Sequence, residues 1–170
     1  MEKQSVGRVL AAVALTAAAV SAAAVPAAAG QDSVPQCAAG DVSVDRLAEG
    51  HSPSPDTSRM FNLVLKGNAG ADCVLSGPLL DVRFYDFDGR PVDIPFSSGT
   101  VPPPLGIVHM TEGSNAYVYI KAPRTGTGPV HPVARMDFSA PTAPASPMSA
   151  RWPSYVFGPL AASSVMQGVS

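Results

Sequence analysis

Asp81, Asp86, Asp88 and Asp93 fall within one short stretch, and closely spaced carboxylates are the ligands a hard cation such as calcium takes. A dedicated calcium loop bends at a central glycine and closes on a terminal glutamate. That pattern is missing, and Pro91 interrupts where a ligand would be expected. Asp88-Gly89 therefore reads as tight-turn chemistry, and Asp86 with Asp88 makes a weak calcium site at most. His51, His109 and His131 lie far apart, and none has a histidine or cysteine at ligand spacing. No metal centre and no cofactor are expected.

Nucleophilic chemistry has as little local support. No glycine-x-serine-x-glycine elbow occurs, and the region after residue 29 carries only Glu49 and Glu112 as glutamates for a sugar-cleaving carboxylate pair. No catalytic residue is assigned. The alternative is a secreted hydrolase whose site is assembled in space from Ser114, His109 and an aspartate, an arrangement that spacing alone does not forbid. Residues suited to binding are easier to find. Tyr117, Tyr119 and Lys121 alternate on one strand face, and Trp152 and Tyr155 head a C-terminal aromatic group. These five form a candidate binding surface, although the plainer reading packs the tyrosines against an opposing sheet or the C-terminal aromatics.

The leader fixes the expected compartment. Lys3 and Arg8 precede an apolar, alanine-rich run from Val9 to Val25, and Ala27, Ala28 and Ala29 supply a small-residue cleavage site. Residues 1–29 thus read as a signal peptide, with the mature chain starting near Gly30 or Gln31. A twin-arginine pair is absent, and Val34-Pro35-Gln36 before Cys37 lacks the small residues of a lipoprotein site, so general secretion with release is expected. No later segment is apolar enough to span a bilayer. Removing the leader leaves nine basic and twelve acidic residues, interspersed and near −3 in formal charge, which offers nucleic acid no electrostatic attraction. Two cysteines in an exported chain point to a Cys37–Cys73 disulfide.

Those residues need a scaffold, and its pattern is one of strands. Phe61, Leu63 and Leu65 alternate with Asn62, Val64 and Lys66 until Gly67, Asn68 and Gly70 break the run ahead of Cys73. Leu80, Val82 and Phe84 alternate up to Asp88-Gly89. Val92, Ile94 and Phe96 return as an edge strand marked by Pro91 and Pro95, and residues 97–104 read as a loop. Ala116, Val118 and Ile120 against Tyr117, Tyr119 and Lys121 give the clearest alternation, apolar enough on both faces for a central strand. Composition alone makes Pro141, Pro144 and Pro147 a polyproline linker. Trp152 to Leu160 then forms either the last strands of the same domain, which its aromatics favour, or an exposed tail. Strands every eight to fifteen residues, with proline and glycine between them, indicate a β-sandwich.

Cys37, the turn at Gly67-Asn68, the run Cys73-Val74-Leu75-Ser76-Gly77-Pro78, the strand ending Asp88-Gly89-Arg90-Pro91-Val92, and the later Glu112 to Tyr117 and Met136 to Pro141 segments together resemble a secreted actinobacterial domain-of-unknown-function family. The resemblance implies an immunoglobulin-like antiparallel all-β sandwich with the Cys37–Cys73 disulfide, exported or envelope-attached, with residues 141–149 inside the domain. The expected organisation is a signal peptide over 1–29, a lead-in over 30–36, a β-sandwich over 37–166 and a tail over 167–170. The expected role is non-catalytic, binding or structural, with an extracellular or envelope protein or a glycan as partner.

Overall fold

A computed structural model describes residues 34–101, 106–126, 128–141 and 147–168, and none of these residues is helical. The expected signal peptide and residues 30–33 of the lead-in lie outside the described residues. In chain order the strands are β1 (Val42–Gly50), β2 (Ser58–Gly67), β3 (Asp72–Ser76), β4 (Leu80–Tyr85), β5 (Pro91–Val92), β6 (Phe96–Val101) and β7 (Ile107–Thr111). They continue with β8 (Asn115–Pro123), β9 (Val130–His131), β10 (Arg135–Ser139), β11 (Pro147–Arg151), β12 (Val156–Phe157), β13 (Leu160–Ser163) and β14 (Met166–Gln167). One sheet runs β1-β2-β8-β13-β6, with β14 also on β8, and a four-stranded sheet runs β11-β10-β4-β5. The pairs β12-β9 and β3-β7 complete a β-sandwich-like fold.

The central-strand reading of β8 holds: it pairs with β2 on one side and with β13 and β14 on the other. Ala116, Val118, Ile120 and Ala122 are fully buried, while Tyr117 and Tyr119 are half-buried and Lys121 is exposed. Along β2, Phe61, Leu63 and Leu65 are likewise fully buried. The turn after β2 needs its glycine. A Cβ on Gly67 would sit 2.0 Å from the Thr111 carbonyl oxygen, because the Gly67 amide donates to Ser114 O and its carbonyl accepts from Gly113 N.

Four expectations are corrected. The sheets are not wholly antiparallel: β13 pairs with β6 in parallel, since the chain leaves β6, crosses other strands and returns in the same direction. Most of the expected loop over 97–104 is therefore β6, whose serines and glycine hide a strand that finds its partner some sixty residues away; residues 102–105 lie outside the described residues. Only Pro91–Val92 returns along β4, whereas Phe96 has moved to the other sheet. On β4 itself the register against β10 slips by one residue, and Asp81 takes a positive φ of 52°. A one-residue bulge swaps faces, so Leu79 is buried and Leu80, expected inside, is 46% exposed.

Residues 147–168 belong to the domain. Strand β11 pairs with β10 in continuous register from Arg135↔Arg151 to Ser139↔Pro147, while residues 142–146 lie outside the described residues. Trp152 then enters the interior at 3% exposure. Its ring centroid is 4.8 Å from Phe61 of one sheet and 5.7 Å from Phe84 of the other, and Phe84 in turn meets Phe96 at 5.8 Å. An aromatic chain thus passes back and forth between the sheets.

Cys37 and Cys73 form the expected disulfide, both buried. Residues 35–37 lie alongside β3: Val74 N donates to Pro35 O at 2.8 Å and Cys37 N to Val74 O at 3.1 Å. The bond ties the segment at Cys37 to β3 across 36 residues.

Replacing both cysteines with alanine should lower unfolding free energy by about 4 kcal/mol, the loop-closure value for this separation. Urea titration of the two forms measures it; equal midpoints would show that the tether adds nothing. Trp152→Ala should cost about 3–5 kcal/mol by the same assay. Trp152→Phe should cost clearly less, because Trp152 Nε1 is buried and donates to no atom among the described residues.

Candidate functional site

Arg59 begins the apolar run of β2 and cannot point its charge inward without partners. It lies beside the end of β1, where Glu49 pairs with Phe61 in the ladder. Arg59 Nε donates to Glu49 Oε1 at 2.8 Å and Nη2 to Glu49 Oε2 at 2.5 Å, the two-pronged geometry that a planar guanidinium makes with a carboxylate. Nη2 also donates to Ser154 Oγ at 2.6 Å and Nη1 to the Tyr155 carbonyl at 2.8 Å. The guanidinium carbon lies 5.0 Å from the Phe61 ring centre and 5.9 Å from that of Tyr155. Only 12% of the Arg59 side chain is exposed, against 40% for Glu49.

Charge is held firmly here. The Arg59 hydrogen bond keeps the Glu49 carboxyl below the usual glutamate range, with burial opposing and the charges of Arg59 and Arg124 assisting. The same bond raises the Arg59 guanidinium above its already high value. Around this pair opens a shallow cleft of about 810 Å³, walled by Arg124, Tyr155, Ser154 and the β9–β12 pair through Val130 and Phe157. Tyr155 is 60% exposed and Val130 48%.

The residues expected to form a binding surface separate. Tyr155 lines this cleft, whereas Trp152 is withdrawn as a surface residue because its indole is needed between the sheets. Tyr117 is half-buried against Gly168, so closely that a Cβ on Gly168 would lie 2.1 Å from its Cε2. Tyr119 stays half-buried, its backbone amide donating to Ser163 Oγ, and Lys121 borders a smaller separate cleft with Pro159 and Ala161.

Asp86 and Asp88 build a turn. Asp86 Oδ1 accepts from the amides of Asp88 and Arg90 at 2.9 and 2.8 Å, and Asp88 pairs with the Arg90 guanidinium at 3.1 Å. His109 meets Asp72 at 2.7 Å on the exposed face of the β3–β7 pair. Ser114, however, donates to the Thr111 carbonyl and accepts from the Thr111 amide, so its hydroxyl is spent in its own turn. The structure joins two members of the spatial triad and gives the third another task. His51 is exposed and His131 half-buried on β9.

Glu49 and Arg59 escaped sequence reasoning because their partners are 10, 95 and 96 positions apart. The available signal was a cation opening an apolar strand, two residues before a core phenylalanine. Compared with protein families, curated proteins and solved structures, the chain matches none.

A carboxyl whose folded pKa is depressed stabilises above its unfolded value, near 4.5, and loses that contribution as pH falls through the folded value. Unfolding free energy measured from pH 7 to pH 2 should therefore fall less steeply below pH 4.5 in Glu49→Gln than in the wild type. With Glu49 partly exposed, the difference at pH 7 should be about 1 kcal/mol or less. Parallel pH profiles would remove Glu49 from the role.

Proposed function

We propose that this chain is an exported, non-catalytic binding domain of immunoglobulin-like type, acting at the cell envelope or in the extracellular medium. The observation that carries this reading is the cleft beside Arg59. The half-buried guanidinium of Arg59 is committed to Glu49, Ser154 and the Tyr155 carbonyl, which makes a rigid polar wall, while Tyr155 and Val130 are left open to solvent. Preformed walls with an exposed aromatic are features of recognition surfaces. Catalysis would instead ask for a free nucleophile beside a base, and the Ser114 hydroxyl is engaged at Thr111.

Export is supported by the leader pattern of residues 1–29 and by the buried disulfide, a bond that persists in oxidising compartments. The motifs between Cys37 and Pro141 that resemble an exported family point the same way. Two packed sheets joined through a buried tryptophan support the immunoglobulin-like reading.

Two measurements test the proposal. Intact mass of the chain recovered from culture medium should correspond to a start at Gly30 or Gln31; recovery only inside cells with residues 1–29 retained would refute export. Purified protein incubated with isolated envelope material should co-sediment saturably and be displaced by unlabelled protein. Absence of retention, or retention without saturation, would refute the binding role.

A further inference from the structure

We propose that the Tyr155 cleft is a saccharide site, in which the apolar face of a pyranose lies on the Tyr155 ring and its hydroxyls bond to Glu49 and Arg124. This names the ligand class for the binding role above and rests on it. The Tyr155 ring combines exposure with fixation: 60% of the residue is open to solvent, while its carbonyl is held by Arg59 Nη1 and the guanidinium stands 5.9 Å from the ring centre. A tyrosine on a fixed backbone, with only two side-chain torsions to order, offers stacking area at low ordering cost on binding.

The surrounding polar groups suit a polyol. Each Glu49 carboxylate oxygen accepts once from Arg59 and retains lone pairs for other donors, with 40% of the side chain exposed. The low carboxyl pKa keeps it an acceptor at neutral pH. Arg124, exposed on the same wall, supplies donors. An acceptor and a donor beside an aromatic face match neighbouring sugar hydroxyls. Glu49 and Arg59 also cancel each other's charge, so a strongly anionic ligand finds only Arg124 in its favour. A proline-rich peptide would prefer a mainly apolar groove, and three of the seven wall residues here are charged.

The test is titration of the purified, disulfide-bonded protein with hexasaccharides of glucose and of N-acetylglucosamine, and with a proline-rich decapeptide, followed by ligand-observed NMR. At least one saccharide should bind. Tyr155→Ala should weaken it about tenfold or more, and Tyr155→Phe, which keeps the ring, should stay within about twofold. Thermal unfolding of both variants checks that the fold survives. Binding of neither sugar at millimolar concentration, equal affinity in Tyr155→Ala, or binding of the peptide alone would overturn the site. If Tyr155→Ala still co-sediments with envelope material as the wild type does, the saccharide site fails while the binding role stands; if neither sediments, both fail.

Discussion

Trp152 is the residue on which the two sheets depend. A two-layer β fold is stable only if the inner faces interdigitate without voids, and here a single indole touches Phe61 of one layer and Phe84 of the other. The contact is won against a cost, since its Nε1 is buried without an acceptor among the described residues. An unmet donor of this kind costs about 1–3 kcal/mol. The packing that offsets this penalty is the indole's own, 4.8 Å from the Phe61 ring centre and 5.7 Å from that of Phe84.

How much of this could be read from the chain alone follows from the range of the interactions involved. Alternation is local, so β2 and β8 were legible residue by residue, and Gly67 after β2 and Asp88-Gly89 after β4 marked turns by backbone chemistry that needs no distant partner. The cysteine pair was legible by count. Strand β6 was not, because Ser97, Ser98 and Gly99 carry no strand preference and are held by β13 from far along the chain. The Leu80 error has the same origin: a bulge against β10 decides which face a residue takes. At the site, Tyr155 was visible as an aromatic wanting a place, but its place depends on Arg59, 96 positions away.

The Arg59 node shows how a charge is tolerated next to the core. An arginine with 12% of its side chain exposed loses most of its hydration, and a lone carboxylate rarely compensates that loss. Here a two-pronged carboxylate, a hydroxyl, a carbonyl and two aromatic faces share the load. Because Phe61 lies beneath the guanidinium and also against Trp152, the polar node and the aromatic core have a residue in common.

That shared residue links core packing to the geometry of the cleft. Within six residues the chain places Trp152 in the interior, hands Ser154 Oγ and the Tyr155 carbonyl to Arg59, buries Val156 and sets Phe157 against Val130. The start of this segment is held by the Trp152 amide on Ala134 O at 2.8 Å, and its far end by the β9–β12 pair. A stretch pinned from inside and outside has little freedom to rearrange, so the outward presentation of Tyr155 is a consequence of how Trp152 fills the space between the sheets. Loosening the core at Phe61 or Trp152 would shift the rim of the cleft even where no wall residue is changed.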